Sequence, residues 1–224
     1  MTKLSTAFDL KSVAMGAAIA LALPLAAAAA PTQWNAGVGA NGHYYEWVYA
    51  PQTSWEADNP LAAGMTYAGL QGYLATITSA EEDAFVHGVA GGQLSWISGS
   101  DDASQGTTEG VWIWTGGPEA GMNFWNGLAG GSAPVGVYTN WNGGEPNNYL
   151  GAENYLQINW QGSAGWNDAG PSTYYTTLAN GYVVEYGGLR AGVPEPASWA
   201  LMIMGFGGIG AAIRNRRRIL ALTA

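Results

Sequence analysis

Between Trp114 and Glu153 the chain runs through glycine, asparagine and proline, with neither a helical nor an alternating apolar period. So long an irregular stretch inside a compact domain is usually functional rather than filler. It argues against a helical bundle and for a loop-rich, partly β domain, as do the 34 glycines and the few charges. The sequence around it supplies the regular elements. Gly42–Ala50 is aromatic and β-branched enough for an opening strand, and Trp55–Ala68 reads as a weak helix despite Pro60 and Gly64. A short strand is expected at Tyr73–Ile77. A helix follows, opened by a capping box in which the Ser79 hydroxyl and the Glu82 carboxylate satisfy reciprocal backbone donors. Further strands are expected at Leu94–Ser98, Val111–Trp114, Asn154–Trp160, around Trp166 and at Tyr182–Tyr186. The fold class is therefore α+β: two helices, small antiparallel sheets and one long irregular loop.

The chain has no cysteine, so packing, alone or with a bound metal, must hold that loop without a disulfide scaffold. Eleven tryptophans and twelve tyrosines supply a large apolar payload for it. All seven basic residues lie outside 31–189, at Lys3, Lys11, Arg190, Arg214, Arg216, Arg217 and Arg218. From Pro31 to Val193 there are 14 acids against Arg190 alone, a net charge of −13. Such a domain repels nucleic acid and anionic membranes and attracts cations. Solubility through surface acids accounts for the same bias equally well.

The two ends read as addresses. Lys3 and Lys11 precede an apolar run from Val13 to Ala29 that closes on small residues, the order of a secretory signal peptide over 1–30. At the other end Pro194-Glu195-Pro196 precedes apolar residues 199–213 and the cluster Arg214 to Arg218. Fifteen helical residues rise about 22 Å, short of the ~30 Å hydrocarbon core, and the arginines would stay cytoplasmic. This tail, 191–224, resembles the PEP-CTERM sorting signal. The resemblance implies transient retention in the inner membrane, then removal by an exosortase-type peptidase near Pro194, Glu195 and Pro196. The product would be extracellular or surface-bound. The domain itself is expected over 31–190.

Within the long loop and the strand that follows it lie Glu145-Pro146-Asn147, Glu153 and Trp166-Asn167-Asp168. Carboxylate and amide oxygens are hard ligands, and Ca²⁺ takes six to eight of them at roughly 2.3–2.6 Å. The set has no histidine or cysteine, so zinc or copper is a poor match. Five donors leave positions open to water or to the vicinal diol of a sugar. Glu145-Pro146-Asn147 alone reads as a turn; the companions at matching spacing favour the metal.

In order, these segments resemble a C-type lectin-like domain over Asn41–Tyr186. Trp96-Ile97-Ser98-Gly99 stands at the family's Trp-Ile-Gly motif, and Val111–Trp114 with Gly117 at its next strand and turn. The resemblance implies that Glu145, Asn147, Glu153, Asn167 and Asp168 are calcium ligands, with the Asp168 carbonyl an available sixth. It implies that the first four also bind sugar hydroxyls and that Pro146 follows a cis peptide. Glu-Pro-Asn is similar to the version preferring mannose-, glucose- or fucose-type diols. The family's auxiliary calcium site wants acids where this chain has Asn148 and Asn154, so one site is expected.

Other polar residues read more plainly. Asp101, Asp102 and Glu109 are expected to be solvated loop acids, because the EF-hand pattern fails at Ala103. Glu81, Glu82 and Asp83 lie in the first turn of a helix, where its dipole favours anions, and need no further role. Trp166 reads as core; Trp141 and Tyr149 either pin the loop or stack on a sugar. His43 and His87 carry no nucleophile motif, so catalysis is not expected. A matrix or adhesion role for the same fold, without sugar binding, is the alternative.

Overall fold

A computed structural model describes residues 30–170 and 179–190. The expected signal peptide and the sorting tail lie outside the described residues. The strands are β1 (Thr32–Gln33), β2 (Tyr44–Thr53), β3 (Thr66–Tyr67), β4 (Leu70–Leu74), β5 (Ser95–Ser100), β6 (Val111–Trp114), β7 (Asn123–Asn126), β8 (Tyr155–Ile158), β9 (Trp166–Ala169) and β10 (Ala179–Arg190). Two helices, α1 (Trp55–Gly64) and α2 (Ala80–Ala90), complete the expected C-type lectin-like plan.

Local chemistry sets the helix ends. Ser54 caps α1 by accepting from Ala57 N–H, and the helix stops at Gly64. The expected continuation to Ala68 is replaced by the β3–β4 hairpin, whose turn places Ala68 and Gly69 at positive φ. On α2, Ser79 Oγ accepts from Glu82 N–H as expected. The reciprocal bond shifts by one residue: Glu82 accepts from the N–H and hydroxyl of Thr78, not from Ser79. Helix α2 then ends on Gly91 in the left-handed region.

The described strands join into one connected sheet, in the order β1-β2-β10-β5-β6-β7, with β4 on β10, β8 on β5 and β9 on β8. It is mixed rather than wholly antiparallel, because β10 runs parallel to β5 at Gly181–Tyr182 and Ser95–Trp96. Alternation along the strands builds two cores. Ile97, Leu156, Ile158, Val183 and Trp166 pack with Trp112, Trp114, Phe124 and α2 residue Val86. Their neighbours Trp96, Tyr155, Tyr182 and Val184 pack with Trp55 and Ala62 of α1. Gly99 is needed where β5 passes β8: a Cβ there would lie 2.6 Å from Leu156 Cδ2.

Candidate metal and ligand site

The long loop is fastened to β9 by backbone and by indole rings. Trp166 N–H donates to Asn140 O at 2.7 Å, and Asn142 N–H to Trp166 O at 2.8 Å. Trp141 packs edge-on to Trp112, centroids 5.0 Å apart, and to Trp166 at 5.9 Å. Trp141 therefore pins the loop. Trp166 is fully buried, as expected for core, and donates through its indole N–H to Asp83 at 2.8 Å. Asp83 also accepts from Asn140, so this α2 acid has a role beyond the helix dipole.

The Glu145–Pro146 peptide is cis, as the resemblance implied. After it, Asn147 N–H and Asn148 N–H both reach Asp168, meeting Oδ1 at 3.1 Å and Oδ2 at 2.7 Å. Asp168 is fully buried, and its carboxyl lies beside that of Glu145. Burial first, then Asp168 and Glu153, push the Glu145 carboxyl up to about 7. Burial likewise raises Asp168 against the two backbone donors that favour its charge. The second Glu145 oxygen, Oε2, is buried with no hydrogen-bond partner among the described residues. Glu153 is buried and accepts from Tyr149 N–H at 2.8 Å, and the Asn167 amide donates to the Asp168 carbonyl.

Glu145, Asn147, Glu153 and Asn167 line one cavity of about 230 Å³, together with the largely exposed Tyr149. Asp168 does not line it. Successive strand residues face opposite ways, so Asn167 faces the cavity and Asp168 turns toward the loop backbone. Among the described residues, no three His, Cys, Asp or Glu side chains form a metal-ligand cluster. Any ion here must take the amide oxygens of Asn147 and Asn167 as well. On chemistry the set fits a hard cation: two neighbouring carboxyls, a carboxyl oxygen unmet among the described residues and no lysine or arginine from 31 to 189.

Asn148 and Asn154 occupy the positions where acids were wanted. Asn148 Nδ2 donates to Glu109 at 2.6 Å, its Oδ1 accepts from Glu153 N–H, and Asn154 Nδ2 donates to Asp102. Here neutral amides bridge the acids. Asp101 corrects the expectation of a solvated acid: it is 2% exposed, accepts from Gly110 N–H, and burial pushes it up to about 7. The histidines stand elsewhere, His43 against Glu185 and His87 against Asn159. Sequence reasoning missed Gln157, a polar residue of β8 that also lines the cavity and is 1% exposed.

Residues 192–218 match the PEP-CTERM protein-sorting motif. Over 149 residues, 66% of the chain, it is 43% identical to Halomucin of Haloquadratum walsbyi, and spans 2% of that protein's length. Among solved structures it is similar to the C-type lectin CEL-I of Cucumaria echinata, at 25% identity and TM-score 0.48, covering 70% of this chain and 96% of that one. The cow C-type carbohydrate-recognition domain of CD23, determined in the presence of an oligosaccharide, matches at 25% identity and TM-score 0.45, covering 64% and 86%.

Proposed function

We propose that the domain is a non-catalytic, calcium-dependent carbohydrate-binding module of an exported protein. One observation carries the reading. Glu145 and Asp168 are pressed together in a domain without lysine or arginine from 31 to 189, and Glu145 Oε2 is buried with no donor to meet it among the described residues. A divalent cation answers that charge, and Glu145, Asn147, Glu153, Asn167 and Asp168 would hold it. Bound calcium supplies open coordination positions for two vicinal hydroxyls. The carboxylates of Glu145 and Glu153 accept from those hydroxyls, while the amides of Asn147 and Asn167 donate to them. Asp168 keeps the loop in place through the Asn147 and Asn148 N–H groups. The Glu-Pro-Asn order supports mannose-, glucose- or fucose-type diols.

The PEP-CTERM motif implies export and processing by an exosortase. In this scheme residues 1–30 direct export and 199–213 hold the chain in the inner membrane. Cleavage near Pro194-Glu195-Pro196 then leaves the domain outside the cell, where extracellular polysaccharide is its ligand. One shallow site binds weakly, so avidity along a polymer supplies the useful affinity.

Calcium titration of the purified chain, followed by a glycan array with and without chelator, tests the reading. Chelator-reversible glycan retention is expected. Glu145→Gln should weaken calcium binding by more than about 100-fold, the upper end of what outer-shell partners cost. Indifference of the unaltered protein to calcium would refute the assignment. A matrix or adhesion role without sugar is favoured by one observation, the lack of a three-acid cluster among the described residues. No glycan retention, with or without calcium, would select it.

A further inference from the structure

The cavity has a second polar wall that the cation does not use. Gln157 lies within β8, 1% exposed, and among the described residues neither its amide oxygen nor its amide nitrogen has a hydrogen-bond partner. Strand register explains its direction. Trp96 of β5 and Asn167 of β9 are its cross-strand partners. Side chains directly opposite in a sheet share a face, with Cβ atoms roughly 4.5–5.5 Å apart. Trp96, Gln157 and Asn167 therefore form a row across three strands, and all three line the cavity together with Trp160.

Folded proteins seldom bury a primary amide with both halves unmet, because each unmade hydrogen bond leaves its desolvation uncompensated. The surroundings say what completes this one. The missing group must donate and accept at once, as a hydroxyl does. It must be uncharged or cationic, because Glu145 and Glu153 line the same space. It must also offer an apolar face to the indoles, as the C–H face of a sugar ring does. At about 230 Å³ the space is smaller than the roughly 300–1,000 Å³ of drug-sized pockets, so it admits one small unit.

We infer that Gln157 is a ligand-contacting residue of a second saccharide subsite. It takes a hydroxyl or hydroxymethyl group of the neutral sugar unit next to the one held at Glu145, Asn147, Glu153 and Asn167. The inference rests on the carbohydrate-binding reading above and names its ligand more closely, as a neutral oligosaccharide rather than an isolated diol.

The test uses the full purified chain carrying Gln157→Leu or, separately, Gln157→Met, which keeps the unbranched shape. Three quantities are read: melting temperature, calcium half-saturation, and affinity for methyl glycosides of mannose, glucose and fucose against their disaccharides. The variants are expected to melt no lower than the parent and to bind calcium unchanged. Their disaccharide affinity should fall about tenfold, the ratio that 1.4 kcal/mol makes, with little change for the methyl glycosides. Parental disaccharide affinity in both variants would overturn the subsite and leave the lectin reading standing. A parent protein that binds calcium but no saccharide would overturn both.

Discussion

At the scale of single residues, the chain handles buried acids in two ways. Around Glu145 and Asp168 acids meet each other, and there the proposed cation would answer them. Around Glu185 the partners are neutral donors and one histidine, and burial still raises its carboxyl. Glu185 is completely buried and accepts from Thr76 N–H, the Thr76 hydroxyl and Tyr45, while His43 Nδ1 stands 2.6 Å away. The bond to Glu185 raises the His43 imidazole above its ordinary value, against burial, which lowers it. His43→Ala strips the carboxylate of its charged partner and should cost about 1.5–3 kcal/mol in urea unfolding near pH 6. The same scale shows why some residues were legible and others were not. The five donors stand in short runs whose chemistry is shared and whose spacing is readable. Gln157 stands alone in Tyr-Leu-Gln-Ile, where alternation suggests a solvent-facing residue. Its one signal is a polar residue in a strand buried on both faces, which only the packing of β5 and β9 against β8 makes visible. Asp101 was misread similarly: glycines and polar neighbours suggest exposure, but the Gly110 backbone folds over it.

At the scale of elements, α2 does more than cover the sheet. Its first turn sends Glu82 to Thr78, Tyr45 and Asn41, and Asp83 to Trp166 and Asn140, so its cap and the long loop share one anchor. Ser79→Ala removes the acceptor for Glu82 N–H and should cost about 1 kcal/mol, read as a lower denaturation midpoint with unchanged slope. Strand β6 was readable to the residue because Val-Trp-Ile-Trp carries dense β-branched and aromatic signal. Strand β7, Asn-Phe-Trp-Asn, was hidden in the loop because its polar ends and flanking glycines imitate a turn. The parallel β10–β5 contact was invisible for a different reason. It joins residues more than 80 positions apart, and nothing local in either strand declares its partner.

At the scale of the whole molecule, the direction of pH dependence follows from the shifted groups together. Burial lifts Asp58 to about 6, and Asp101 and Glu145 to about 7, above their unfolded values. The folded state thus holds more protons than the unfolded chain between about pH 4 and 7, and stability falls as pH rises through that window. The raised His43 acts in the same sense: its contribution is complete below its unfolded pKa of 6.5 and is lost as pH rises through the folded value. Metal-free protein should therefore melt highest in weak acid and progressively lower toward pH 8. Calcium should reverse the trend near neutrality, and a melting series at fixed ionic strength checks both. Asp168 has one more consequence. By gripping the amides of Asn147 and Asn148 some twenty positions upstream, it closes a ring that other proteins would close with sulfur. A clasp made only of peptide hydrogens and a carboxylate is indifferent to reductant, so it holds alike in reducing and oxidising surroundings and needs no disulfide isomerase.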